Sequence, residues 1–198
     1  MRRNLKMSKA VIRFLIFVTM LWIGSTLAYY FSSMWFITTW YASIFVVSLY
    51  FALKTGEKLS DLFRLNGKWI LKSILFLPLI YALMAVVSFI FPSIGATTQI
   101  QKVDITTAIV ITFLGPISEE MAFRGYTQGI ARRKLNVNSA ILITALFFSF
   151  FHPFEVFPQI FVMSMVLSVV REISGSLVPP MIIHCLNNTV ALVVSFLI

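Results

Sequence analysis

The stretch ITTAIVITFLGPISEEMAFRGYTQGIARR, Ile105–Arg133, decides how the chain is to be read. Its first twelve residues carry no charge and are as apolar as a membrane span, yet Glu119, Glu120 and Arg124 follow at once. Ionisable side chains inside a membrane helix are expensive, and as a rule they mark function and have a partner. The remainder of the chain therefore has to supply either a soluble core for this segment or a membrane with polar company inside it.

Composition points to the membrane. Of 198 residues, 59% are hydrophobic and 12% charged, and the mean hydropathy is +0.92. A soluble domain is nearer half apolar and about a quarter charged. So much apolar surface cannot be hidden inside one globule of this size, so the solvent is lipid and the expected fold is an all-α polytopic membrane protein. The net charge of +9 is spread among short segments between apolar runs. That distribution reads as membrane topology and not as a nucleic-acid surface. A single cysteine, Cys185, excludes an intramolecular disulfide.

Apolar runs and their breaks predict about seven helices: Val11–Phe31, Met34–Leu53, Trp69–Phe91, Ile105 to about Ala131, Ser139–His152, Phe157–Arg171 and Leu177–Ile198. Pro92-Ser93-Ile94-Gly95 is turn chemistry that closes the third, and Gly115-Pro116 predicts a kink in the fourth. Pro179-Pro180 falls in the first turn of the seventh, where proline is best tolerated. The basic N-terminus with Thr26-Leu27-Ala28 resembles a signal peptide, but the apolar run continues to Phe31 and is read as the first span. With the N-terminus in the cytoplasm of a multi-pass cell-membrane protein, fourteen of the sixteen Lys and Arg, all but Lys102 and Arg124, fall on the cytoplasmic side.

Seven polar residues do not belong in such helices: Glu119, Glu120 and Arg124 in the fourth, His152 ending the fifth, and His184, Asn187 and Asn188 in the seventh. Glu120 and Arg124 are four apart and share a helix face, which predicts an ion pair. Glu119 is turned about 100° away, so its charge is left for another task. His184 and Asn188 share a face, as do Phe148 and His152. At a rise of ~1.5 Å per residue, Glu119 and His152 both lie roughly 20 Å from the cytoplasmic ends of their helices, and His184 and Asn188 roughly 10 and 16 Å into theirs. All four can meet within the membrane.

The motifs EEMAFR (Glu119–Arg124), FSFFH (Phe148–His152) and HCLNN (His184–Asn188) fit EExxxR, FxxxH and HxxxN. In that order, on successive apolar helices, they resemble the CAAX protease and bacteriocin-processing (CPBP, or Abi) family of intramembrane proteases. The resemblance covers residues 105–198, the expected protease core, while residues 1–104 carry transmembrane helices without a recognised motif. It implies hydrolysis of a peptide bond inside the membrane, with Glu119 and His152 activating water, His184 and Asn188 steadying the oxyanion, and Glu120 and Arg124 supporting the site. The expected partners are a peptide or protein substrate and the bilayer, with no assignment of oligomeric state. The short length and compact loops resemble bacterial members, which favours peptide maturation or bacteriocin self-immunity over prenylated CAAX substrates.

Two mechanisms use the same residues. An apolar site favours a glutamate as general base, with a histidine beside it and an asparagine amide facing the developing oxyanion. Glu119, His152 and His184 also form a His2Glu set of the kind that holds a catalytic zinc, so a divalent metal is a candidate cofactor. The sequence lacks HExxH, and three separate helices would have to close on the ion. The alternative of another class is a catalytically silent membrane binding, immunity or regulatory protein with the same fold. A transporter is weakened by the absence of repeated halves. Cys185 next to His184 points about 100° away from it, which counts against a thiol protease.

Overall fold

The computed structural model describes residues 2–31, 33–91 and 103–197. The chain is an all-α polytopic membrane protein. Its helices are α1 Arg2–Phe31, α2 Met34–Thr55, the single turn α3 Leu59–Leu62, α4 Gly67–Ile90, α5 Ile105–Arg132, α6 Val137–Ser149, α7 Phe157–Ser174 and α8 Val178–Ser195. The turn expected at Pro92–Gly95, and Lys102, lie outside the described residues.

Six of these helices are long and apolar enough to cross a membrane. Helix α6 is not one of them. Its 13 residues extend ~20 Å, short of a hydrocarbon core of ~30 Å. The expected seven spans are therefore six plus one shorter apolar helix. Helix α6 also ends at Ser149 and not at His152, which lies in the turn beyond it. Pro153 supplies the reason, because a residue before proline is pushed out of the helical region.

Helix α5 is the centre of the bundle. Buried residues make up 44% of its most apolar window, against 11% for α4, and every residue from Met121 to Gln128 is buried. It packs against α2, α6 and α8, while α7 packs against α4, α6 and α8. The outer faces of the bundle are lined by apolar side chains such as Trp22, Leu75 and Phe89, as lipid contact demands. Around Gly115-Pro116, α5 continues with its hydrogen bonds widened. The stretches Val110–Leu114 and Met121–Thr127 are π-helical, with the N–H of Gly115 reaching the Val110 carbonyl and that of Gln128 the Phe123 carbonyl, each five residues back. Proline at 116 has no N–H to continue the regular ladder, and single turns of π-helix often stand at functional sites.

The polar ends of several helices meet at one end of the bundle. Gly56, at φ 98°, ends α2 in the left-handed region, where glycine carries no Cβ penalty. The turn delivers Glu57 to Arg133 at 3.9 Å and Arg171 at 3.8 Å. Arg132 pairs with Glu172 at 3.2 Å, Arg13 donates to the Lys54 carbonyl, and the Leu177 N–H to that of Leu62.

Candidate active site

Helix α5 presents Glu119 and Glu120 to α8, and His184 stands between them. Its Nδ1 lies 2.8 Å from Glu120 Oε1. A carboxylate oxygen accepts there, so Nδ1 carries the proton and donates. Its Nε2 faces Glu119 Oε2 at 3.7 Å, beyond hydrogen-bond reach. One ring thus sees both carboxylates.

Glu120 is wholly buried, and its Oε1 also accepts from Arg124 at 2.9 Å. The guanidinium donates onward to the hydroxyl of Ser164 at 2.6 Å and to the Ser164 carbonyl at 3.2 Å, on α7. Its carbon lies 4.6 Å from the centre of the Phe148 ring, a cation–π contact of about 2 kcal/mol when desolvated. A charge pair this deep is tolerable only with such a shell of donors and acceptors. The network ties α5, α7 and α8 together.

Phe148, the aromatic of the second motif, is completely buried and stands beside both histidines. Its ring centre is 4.6 Å from that of His152 and 5.9 Å from that of His184. His152 Nδ1 lies 3.1 Å from the Phe148 carbonyl, which can only accept, so its Nε2 keeps a free lone pair.

Asn188 meets α5 about two turns before Glu119. Its Nδ2 donates to the carbonyl of Ile111 at 3.0 Å, within the first π-helical stretch, and its Oδ1 is 3.3 Å from Asn187 Nδ2. The second N–H of the Asn188 amide has no such commitment within these two contacts.

Glu119 is held by a residue that the motifs do not contain. Tyr41, on α2, directs its hydroxyl at Glu119 Oε1 over 3.3 Å. Nothing in the sequence signals it, since 78 positions separate the two and a tyrosine in a membrane helix is ordinary. Ser164 was equally invisible, as a small polar residue in an apolar helix.

Among the described residues, no group of three or more His, Cys, Asp and Glu side chains is disposed to hold a metal ion. His184 Nδ1 donates to Glu120, the outer contact a metal-ligating histidine commonly makes, and its Nε2 is the nitrogen that faces Glu119.

Residues 101–190 match the family of type II CAAX prenyl endopeptidases described as Rce1-like. Over those residues, the chain is similar to the CAAX protease (CPBP) family. No curated protein and no solved structure matches the chain. The family match contains all three motifs and leaves out α1 to α4, so Tyr41 comes to the site from outside the matched region.

Proposed function

We propose that the chain is an intramembrane endopeptidase in which Glu119 is the general base that activates water. The observation that carries this reading is the division between the two glutamates. Glu120 spends its Oε1 on Arg124 and His184 and is fully buried, whereas Glu119 Oε2 has no hydrogen bond and its side chain is one-fifth exposed. Hydrolysis needs a base with a free lone pair that a water can reach, and of the two carboxylates only Glu119 offers one.

A water at Glu119 Oε2 gives up a proton as its oxygen attacks the peptide carbonyl. His184 Nε2 lies on that side of the carboxylate, and the lone pair of His152 Nε2 is available to orient the same water or to pass the proton to the leaving amine. Asn188, already anchored to the Ile111 carbonyl, has its second N–H for the oxyanion, a contribution worth roughly 3–4 kcal/mol in hydrolases that use such a donor. Glu120, Arg124 and Ser164 keep α5 and α7 in register. No step of this form of the two mechanisms requires a metal.

The substrate in this reading is a membrane-associated peptide. Small size and compact loops favour maturation of a secreted peptide or bacteriocin self-immunity, while the matched family is described by cleavage of prenylated CAAX sequences. The basic end of the bundle, where Arg13, Lys54, Arg132, Arg133 and Arg171 lie, is taken as the cytoplasmic face by the positive-inside rule. The N-terminus is then cytoplasmic.

The test is cleavage by detergent-purified protein of three fluorogenic panels: prenylated CAAX peptides, the same peptides unprenylated, and a diverse leader-peptide library. Wild type should cleave at least one panel, with or without a chelator, and Glu119→Ala none. If neither protein cleaves any panel, the endopeptidase reading fails and a binding or immunity role replaces it. If a chelator abolishes cleavage and zinc restores it, the metal-free mechanism fails while the peptidase stands.

A further inference from the structure

Helix α2 lies outside the family match, yet one of its side chains completes the geometry of Glu119. The phenol of Tyr41 is half-buried and donates toward Glu119 Oε1 at 3.3 Å. The terminal torsion of a glutamate is broad and roughly two-fold, so an unheld carboxylate would present either oxygen to the site. With Oε1 taken by Tyr41, Oε2 is the oxygen that faces His184 Nε2.

Space for this contact is made on α5. Gly115 precedes Glu119 by four residues and so shares its helix face. A Cβ there would stand 3.3 Å from Tyr41 Cζ and 3.2 Å from the Val110 carbonyl oxygen, tighter than ordinary van der Waals contact. The absent side chain lets the phenol lie against the helix and reach one turn along it. Gly115, Glu119 and Tyr41 thus form one contact, on the far side of the carboxylate from the imidazole.

We infer that Tyr41 is a positioning residue of the site: it fixes the rotation of the Glu119 carboxylate so that Oε2 receives the proton of the attacking water. The inference rests on Glu119 as general base. It makes α2 part of the reacting assembly and places a requirement on a helix that carries no motif.

Two measurements decide it. In steady-state cleavage, Tyr41→Phe removes only the hydroxyl and should lower kcat by about 10- to 100-fold, the scale of loss when a reacting group is misaligned, with KM unchanged. Tyr50→Phe, an exposed tyrosine of the same helix, serves as control and should match wild type. Wild-type kcat in Tyr41→Phe overturns the inference and leaves the peptidase reading intact. The second measurement is a thermal-melt cycle of Tyr41→Phe, Glu119→Ala and the double variant, which needs no substrate. Removing the hydroxyl should lower the melting temperature when Glu119 is present and leave it unchanged or raised when Glu119 is absent. Additive shifts overturn the inference whether or not a substrate is found.

Discussion

The His184 imidazole donates to Glu120, at 2.8 Å, and not to Glu119. The glutamate at the centre of the ion-pair network is thereby bound to the third motif, and its neighbour is left with an oxygen that can accept a proton. Two adjacent carboxylates acquire different work because each faces a different set of donors.

This division predicts opposite phenotypes for the two glutamates. Glu119→Ala should reduce kcat by at least about a hundredfold, the lower end for loss of a general base, while the melting temperature stays close to wild type. Glu120→Ala leaves Arg124 buried without its carboxylate and should cost about 3–5 kcal/mol of stability. Melting curves and cleavage rates on the same preparations check this. Equal destabilisation by both substitutions would contradict the assignment of roles.

Helix packing gives a prediction independent of chemistry. A Cβ on Gly24 of α1 would overlap the six-membered ring of Trp40 on α2, whereas one on Gly125 would meet chiefly the terminal methyl of Met121. Small residues allow membrane helices to approach closely. A rigid indole cannot yield as a thioether can. Gly24→Ala should therefore destabilise by about 1–3 kcal/mol through overpacking. Gly125→Ala should cost less, because alanine gains up to about 1 kcal/mol of helix propensity over glycine. Thermal melts of the two variants in one detergent order them.

Much of this was legible in the sequence, and the limits have physical causes. Spacing of four along a helix is enough to pair Glu120 with Arg124 and to put His184 and Asn188 on one face, because those relations are local. Tyr41 and Ser164 were invisible because their partners lie on other helices, at sequence separations of 78 and 40. The pattern of apolar runs found each helix but the single turn α3, and it misplaced the end of α6, since hydropathy continues through Phe150 and Phe151 while Pro153 stops the backbone. The π-helical stretches of α5 have no compositional signature. Regular 100° spacing separated the two glutamates correctly as neighbours, but only the contacts show that a single imidazole stands between them.

Outside the spans, the N-terminus of α5 carries a titratable cap. Asp104 Oδ1 accepts the Thr107 N–H at 2.7 Å, and that bond holds its carboxyl below the ordinary value of 3.8. A depressed folded-state value means that the cap stabilises the helix above the ordinary carboxylate range. The contribution is lost as the pH falls through the lower, folded-state value. Asn can accept the same bond but does not titrate. Between about pH 5 and pH 2, the melting temperature of wild type should fall more steeply than that of Asp104→Asn. Parallel curves would remove the cap from the account.

Asn188 supplies the last prediction, and it separates anchoring from catalysis. Its amide holds the Ile111 carbonyl with one N–H and, in the proposed mechanism, offers the other to the oxyanion. Asn188→Ala removes both, and should lower kcat by about 10²- to 10³-fold along with about 1 kcal/mol of stability. Asn188→Asp preserves the shape but replaces both donors with acceptors and a charge, so it should be no more active than the alanine variant. Asn187→Ala removes only the donor to Asn188 Oδ1 and should change kcat by less than about tenfold, since the Asn188 donors remain. Steady-state kinetics of the three variants reads the split directly. An active Asn188→Ala would leave Asn188 as an anchor for the π-helical turn alone, and the oxyanion would then have to be met by the histidines.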